Sequence, residues 1–526
     1  MEHLSPLDAS FLDMEDQDPH VSLAIASLAV IDGPAPTHAE FVAAIRERLP
    51  LVPRYRQTVR RVPFDLAGPV WVDQPDIDLD FHLRRVALPA PGDELTLCRT
   101  VAQLMSQRLD RDHPLWEYWV VEGLPEGRWA VLSKVHHCML DGLSGNKLYQ
   151  LMFDTSPEPR DAVPDTWDPG AVPEDAALVG DAMGELAHVA ANQVRLFTTA
   201  LREPARASRY VADLVVGLTA LASAMIPLRP TSLLGPLGQA RRYAVARVPV
   251  AELVRIAKGF GVTVNDVVLA AVTGAFRAVL IERGEPAAAN SVRTLVPVNV
   301  RRSHQTALDN RVSMLLPTLP VEVDDPVERL RVVHERVAEL KGSHEIEAGA
   351  SLTTVAPYEP FAVLDAGVRL GLRLPQRALT TVVTNVPGPP GPLFAFGRRI
   401  REILPWVPIA SRMRIGVSVF TFEGQAVFGV TTDFASVPES DLFAAVIADE
   451  VAALGAAVPV PEPPPPDAEP APPTDRTPTA ATPTDAAPPA AARTRSPAVR
   501  PGAGRRPRRA RPVKQSGEAP SRANPA

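Results

Sequence analysis

The hydrophobic pattern of the first 155 residues predicts strands that alternate with helices. The mostly apolar run SLAIASLAVIDGP (22–34) ends in an Asp-Gly-Pro turn and predicts a strand, and RWAVLSKV (128–135) predicts another. A helix is predicted from Thr37, because Glu40 three residues later can complete a capping box. A second helical stretch is predicted over Leu95 to Leu109.

Helix-end signals are clearest in the second half of the chain. The helix predicted over Val250 to Phe260 is followed by Gly261, a good candidate for a left-handed C-cap. Thr263 then stands three residues before Asp266, which predicts a capping box at the start of the apolar helix NDVVLAAVTGAFRAVL.

Three further segments of this half have well-defined patterns. RTLVPVNVRR (293–302) predicts a strand, and DDPVERLRVVHERVAELKG (324–342) predicts an amphipathic helix that begins after Asp-Pro. RIGVSVFTFEGQAVFGVTTD (414–433) has two alternating runs around Glu423-Gly424, which predicts a hairpin.

Strands and helices thus occur in mixed order in both halves, and we predict an α/β (α+β) fold. Two helical stretches between the halves, Glu174 to Leu201 and Pro204 to Ile226, predict a crossover. Beyond Val458 the composition is rich in Pro, Ala and then Arg, so this tail is expected to be disordered. The expected boundaries are 1–155 for the N-terminal half, 156–242 for the linker and crossover, 243–458 for the C-terminal half and 459–526 for the tail.

Charge and cysteine content argue against a nucleic-acid-binding protein and against a disulfide-rich one. The chain has 526 residues and a net charge of -7, of which the basic tail contributes +5 and the body about -12. An acidic body argues against a nucleic-acid-binding domain, so no nucleic acid is expected as a partner. Two cysteines cannot form a disulfide framework and fit a reducing cytosol.

No signal peptide or membrane-spanning segment is predicted. The N-terminus lacks a basic region followed by an apolar core. YVADLVVGLTALASAMIPL (210–228) is short for a spanning helix and contains an aspartate, so we interpret it as a buried or membrane-surface helix.

The main candidate for chemistry is SKVHHCMLDGLSG (133–145), where two histidines follow a predicted strand. A histidine at a strand end can take and return a proton near neutral pH. If strand geometry persists, His136 and His137 point to opposite sides, and only one of them faces substrate. Asp141 and Gly142 could fix a tight loop.

Other interpretations of this stretch stay open from the residues alone. The histidines could be ordinary core and surface residues, Asp-Gly could be only a turn, and His136, His137 and Asp141 could be metal ligands. No motif such as H-E-x-x-H supports a metal site. Cys138 as a nucleophile is disfavoured, because sequence neighbours rarely meet productively.

HHCMLDG resembles the HHxxxDG motif of the CoA-dependent acyltransferase superfamily. Residues from about 5 to 455 resemble, more narrowly, the bacterial wax ester synthase/acyl-CoA:diacylglycerol acyltransferase family. The other matching blocks are SPLDASFLDMED, HPLWEYWVVEGL, VNDVVLA, LVPVNVR, NRVSM, VTNVPGPPGPL and GVSVFTFEGQAVFGVTTD. The resemblance implies two chloramphenicol-acetyltransferase-like halves with mixed sheets and a central tunnel.

The resemblance also implies roles for individual residues. His137 would be the general base that deprotonates an alcohol, whose oxygen attacks the acyl-CoA thioester directly. His136 would matter less, Asp141 would be structural, and Gly142 would keep the channel open. The candidates for contact with substrate are Pro114, Leu115, Trp116, Asn265, Asp266 and Asn385, although Trp116 could equally be core and Asn265 and Asp266 could simply begin a helix.

We therefore expect an enzyme that transfers a long-chain acyl group from acyl-CoA to diacylglycerol or a long-chain alcohol. No cofactor is expected beyond acyl-CoA as co-substrate, and no metal. We expect a cytoplasmic protein bound peripherally to the inner membrane face or to lipid droplets. Two alternatives stay open: an acyltransferase that uses a carrier-protein thioester, and a non-catalytic lipid-binding protein.

Overall fold

A computed structural model of the chain describes residues 1–140, 149, 152–202, 226–299, 312–342 and 377–459. All of these belong to one compact unit that extends to Pro461. The predictions for Asp141 and Gly142, and nearly all of those for the second crossover helix and the tail, lie outside the described residues.

The strands of the described residues are β1 Ala24–Ile31, β2 Gln57–Arg60, β3 Val70–Asp73, β4 Leu83–Ala87, β5 Trp116–Glu122, β6 Trp129–His136, β7 Arg241–Pro249, β8 Thr294–Asn299, β9 Val312–Leu315, β10 Thr381–Pro387, β11 Phe394–Ala395, β12 Arg398–Trp406, β13 Ile415–Phe422 and β14 Gln425–Asp433. The α-helices are α1 Pro6–Gln17, α2 His38–Arg48, α3 Leu79–His82, α4 Glu94–Met105, α5 Asp175–Arg202, α6 Val250–Phe260, α7 Val264–Glu282, α8 Pro326–Gly342 and α9 Ser440–Ala456.

Local signals in the sequence account for most helix ends. Thr37 and Thr263 cap α2 and α7, each in a complete capping box, as predicted. Gly261 ends α6 with a φ of 69°, in the left-handed region that glycine adopts without strain. The predicted hairpin is β13–β14, and its turn residues Glu423 and Gly424 both have positive φ.

The strands form two six-stranded mixed sheets and a small two-stranded one. The first sheet has the order β11-β12-β1-β6-β5-β4, and the second has the order β7-β14-β13-β10-β8-β9. β4 and β5 are parallel in the first sheet, and β10 is parallel to β8 and β13 in the second. The mixed sheets predicted from the sequence are therefore confirmed.

The first sheet is completed by a strand from the second half of the chain. β12 pairs antiparallel with β1, with Ala26 opposite Trp406. It also lies against the second sheet, because the Pro405 carbonyl accepts hydrogen bonds from Tyr243 Oη (2.7 Å) and Ser418 Oγ (3.1 Å). A strand from the second half of the chain thus belongs to the sheet of the first half.

The described residues form two main apolar cores, and the one around the first sheet also contains residues of the second half, among them Ile403, Trp406 and Phe420. In the second half, α7 is mostly buried and packs against α6, α8 and α9. α7 is long and apolar enough to cross a membrane, but 72% of its apolar window is buried within the fold. Its hydrophobicity is therefore explained by its position as the central core helix.

Helix α5 packs against the small sheet of the first half. Leu178 and Ala182 of α5 are buried with Val62, Val70 and Val72. The predicted crossover helix of Glu174 to Leu201 is thus present and begins on the N-terminal half.

Candidate functional site

The histidine pair lies at the end of the central strand of the first sheet. β6 pairs with β1 on one side and β5 on the other, and it ends at His136. The His136 amide donates to the Leu115 carbonyl (2.9 Å), and the His137 amide donates to the Leu23 carbonyl (3.1 Å). The chain turns into a 3-10 helix at His137, so both backbones are fixed where the strand geometry stops.

The two histidine side chains have different surroundings. His136 is buried (1% exposed), and its Nε2 lies 3.3 Å from Glu15 Oε1. Its Nδ1 accepts a hydrogen bond from the Cys138 amide (3.2 Å), so the proton of the neutral ring is on Nε2 and faces the carboxylate. His137 is partly buried.

His137 is set up as a neutral base. Burial and the neighbouring His136 lower the pKa of His137 to about 4, although a hydrogen bond to its own backbone opposes them. The ring is therefore uncharged at neutral pH. A neutral imidazole has one ring nitrogen without a proton, and that nitrogen can accept one.

Phe11 of α1 covers one face of His137. The ring centroids are 4.1 Å apart with an angle of 38° between the planes. Phe11 also packs against a cluster that joins the two halves of the chain, formed by Val21, Leu23, Leu237, Ile409 and Ala410. His137 therefore lies beside the contact between the halves.

The cysteine next to His137 is not suited to be a nucleophile. Cys138 is fully buried, and burial raises the pKa of its thiol far above the usual value. Nucleophilic attack needs the thiolate, so the chemistry of this site rests on the histidines.

The PLW segment lies next to the histidines but inside the core. Pro114, Leu115 and Trp116 are all buried, and Leu115 supplies the carbonyl that holds His136. Trp116 is 0% exposed, stacks on His82 (4.2 Å) and Tyr55 (4.8 Å), and donates Nε1–H to the Tyr55 carbonyl (2.9 Å). Contact of these residues with an acyl chain stays a prediction.

The other predicted substrate-binding residues lie in the second half. Asp266 is 1% exposed, accepts from the Thr263 amide (3.0 Å) and lies 2.8 Å from His334 Nδ1. Asn265 precedes it in the first turn of α7 and is partly buried. Asn385 is also partly buried, on β10 opposite Val419 of β13. The contacts of Asp266 explain its presence structurally, and a substrate role for these three residues stays a prediction.

Sequence reasoning did not assign Phe11, Glu15 or Arg111 to the site. Both Phe11 and Glu15 are on α1, which was not predicted as a helix. The signal was present: Ser5 is the N-cap, Pro6 follows at the first position, and the Ser5 side chain accepts from the Asp8 amide. Nothing in the local sequence, however, indicates that the carboxylate of Glu15 is buried.

Comparison with known proteins identifies the family. The family model of the wax ester synthase/diacylglycerol acyltransferase catalytic domain matches residues 4–268, and that of the WS/DGAT C-terminal domain matches residues 308–455. The chain belongs to the wax ester synthase/diacylglycerol acyltransferase family. It is 41% identical over 457 residues to a Mycobacterium tuberculosis protein described as the probable diacylglycerol O-acyltransferase tgs1, covering 86% of this chain and 96% of that one.

Solved structures support the fold. The structure of a wax ester synthase/diacylglycerol acyltransferase from Marinobacter aquaeolei VT8 matches with a TM-score of 0.60 and 23% identity, over 87% of this chain and 99% of that one. The first condensation domain of the CDA synthetase matches with a TM-score of 0.52 and 17% identity, over 86% and 98%. The two-half architecture expected from the sequence is confirmed.

Proposed function

We propose that this member of the family is an acyl-CoA-dependent O-acyltransferase. It transfers a long-chain fatty acyl group to diacylglycerol, which gives triacylglycerol, or to a long-chain alcohol, which gives a wax ester. The observation that carries the proposal is the neutral, partly buried His137 that directly follows β6, within the segment that the catalytic-domain model matches. The similarity to tgs1 over nearly its whole length supports diacylglycerol as acceptor.

In the proposed mechanism His137 is the general base. Its free ring nitrogen takes the proton of the acceptor hydroxyl while the oxygen attacks the thioester carbonyl, and the C–S bond then breaks. The CoA sulfur leaves and takes the proton back from His137, so no acyl-enzyme forms. Proton transfer of this kind contributes about 10²- to 10⁴-fold to the rate. Asp141 would hold the following loop, and Gly142 would leave room for substrate.

The proposal is tested by replacing His137 in the full chain. With palmitoyl-CoA and diolein, we expect His137→Ala to lower CoA release and triacylglycerol formation by at least about 10²-fold. His38→Ala is the matched control, because His38 is an exposed histidine on α2 that pairs with Asp80. Near-normal turnover by His137→Ala would contradict the mechanism.

A second candidate is an acyltransferase whose acyl donor is a carrier-protein thioester; the likeness to condensation domains is one of fold. Assays with palmitoyl-CoA and either diolein or hexadecanol separate the two. Inactivity with every free CoA donor would favour the carrier protein, and lipid binding without turnover of any donor would favour a non-catalytic protein.

We further propose that the enzyme works at a lipid surface in the cytoplasm, because diacylglycerol and long-chain alcohols partition into membranes and lipid droplets. Co-sedimentation of the full chain with vesicles that contain diolein tests this, and recovery of all the protein in the supernatant would contradict it.

A further inference from the structure

Glu15 is a fully buried carboxylate directly behind the histidine pair. Its side chain is 1% exposed, and Oε1 accepts the Leu23 amide at 2.5 Å while Oε2 accepts Arg111 at 2.8 Å. Burial by itself raises the pKa of this carboxyl, but His136, the Leu23 amide and Arg111 outweigh it and lower the pKa to about 2. Glu15 is therefore an anion at every pH at which the enzyme works.

The contacts of Glu15 reach both histidines. Its Oε1 faces the Nε2 of His136 at 3.3 Å, which favours the tautomer with the proton on that nitrogen. The same oxygen holds the amide of Leu23, whose carbonyl binds the amide of His137. One carboxylate thus lies against the ring of the first histidine and is linked, through Leu23, to the backbone of the second.

Helix α1 adds a third contact to this arrangement. Phe11 lies one turn before Glu15, so the two side chains are on the same face of α1. Phe11 packs on the ring of His137 while Glu15 holds His136. Helix α1 therefore contacts the rings of both histidines, and through Leu23 it is linked to the backbone of His137.

We propose that Glu15, paired with Arg111, is a positioning residue for the acyl transfer. It does not contact the reacting atoms in this arrangement. It acts through His136 and Leu23 to keep the accepting nitrogen of His137 aimed at the acceptor hydroxyl. This inference rests on the proposed function of His137 as the base.

The test is Glu15→Gln in the full chain, assayed with palmitoyl-CoA and diolein. Gln keeps the size but removes the charge, so His136 loses its anionic partner and Arg111 keeps only the half-exposed Asp16. Because small displacements of a catalytic group are costly, we expect kcat to fall about 10- to 100-fold, with KM for either substrate within about twofold of wild type.

Asp16→Asn is the matched control. Asp16 is the next residue of α1 and also pairs with Arg111 (3.4 Å). It is half-exposed, and its ion pairs within the described residues are with Arg61 and Arg111 rather than with a histidine. We expect this variant to keep kcat within about twofold of wild type.

A double-mutant cycle separates positioning from a general loss of stability. Because Glu15 acts through His136 as well as Leu23, the loss of kcat caused by Glu15→Gln should be at least about threefold smaller when His136→Ala is already present. Full additivity of the two losses would overturn the inference, as would a wild-type kcat for Glu15→Gln alone.

Two further outcomes also decide it. If Glu15→Gln does not fold, Glu15→Asp replaces it, because Asp keeps the charge but shortens the reach to His136. An unchanged kcat of this variant overturns the inference. A lowered kcat with unchanged KM supports it. Inactivity of the unmodified chain would overturn the proposed function and this inference together, whereas an active chain with an unaffected Glu15 variant would overturn the inference alone.

Discussion

Gly429→Ala tests the contact that joins the two sheets. Gly429 is on β14, where it faces the Pro405 carbonyl of β12, and a Cβ at this position would lie 1.9 Å from that oxygen. Atoms of this kind do not approach closer than about 3 Å, so the two strands must separate by about 1 Å. Only glycine fits at this position, because a Cβ would clash with the Pro405 oxygen; the φ angle of Gly429 is not one that requires glycine.

The cost follows from what the displacement breaks. The Pro405 carbonyl would lose well-formed hydrogen bonds from Tyr243 and Ser418, at about 1 kcal/mol each, and overpacking adds about 1 to 3 kcal/mol. We expect the free energy of unfolding to fall by about 3 to 5 kcal/mol. Because His137 lies beside the contact between the halves, acyl transfer should fall as well.

Urea unfolding followed by tryptophan fluorescence measures the effect. Gly184→Ala is the matched control, because Gly184 is exposed within α5 and an added Cβ meets nothing within 4 Å. That variant should gain about 0.5 to 1 kcal/mol. A loss below about 0.5 kcal/mol for Gly429→Ala would refute the close approach of β12 and β14.

Three other predictions follow from the site. Trp116→Phe should lower the free energy of unfolding by about 1 to 3 kcal/mol, because the Tyr55 carbonyl loses the Trp116 Nε1–H donor. The variant should keep the wild-type preference among acyl-CoA chain lengths. A changed preference without loss of stability would place Trp116 on the acyl path. Since His137 accepts a proton only when neutral, kcat/KM should fall on acidification through about pH 4, and a midpoint near 6.5, the ordinary value for histidine, would contradict its burial. Burial raises the pKa of Cys98 to about 12 and that of Cys138 still further, so iodoacetamide at pH 8 should modify neither thiol of the folded protein, and rapid alkylation with loss of activity would contradict this.

The histidine pair shows how far the sequence predicts the site. The sequence predicted that a strand ends at the two histidines, and β6 ends at His136, which is buried against Glu15. Strand alternation predicts opposite sides for neighbouring residues only while strand geometry persists, and the chain turns into a 3-10 helix at His137. The charge state of His137 could not be predicted in this way, because it depends on burial by Phe11 and other distant parts of the chain.

Glu15 could not be recognised from its own segment. In SPLDASFLDMED it is one of several acidic residues, and nothing nearby distinguishes it from the half-exposed Asp16. Its environment is created by Leu23, Arg111 and His136, which are 8 to 121 positions away and meet only when α1 packs behind β6. A buried charge is recognised by its partners, and those partners are set by the fold.

The sequence by itself determined the helix caps, the β13–β14 turn and the position of the histidines at a strand end, because each depends on residues within about four positions of one another. Only the tertiary structure decided that β12 completes the first sheet and that α1 supports His136 and His137. The first arrangement depends on which strand pairs with the edge of β1, and the second on which groups surround the buried carboxylate of Glu15. In both cases the partners are far apart in the sequence. Hydrogen bonds and apolar surfaces are satisfied over the whole molecule, and a local pattern does not specify which distant group satisfies them.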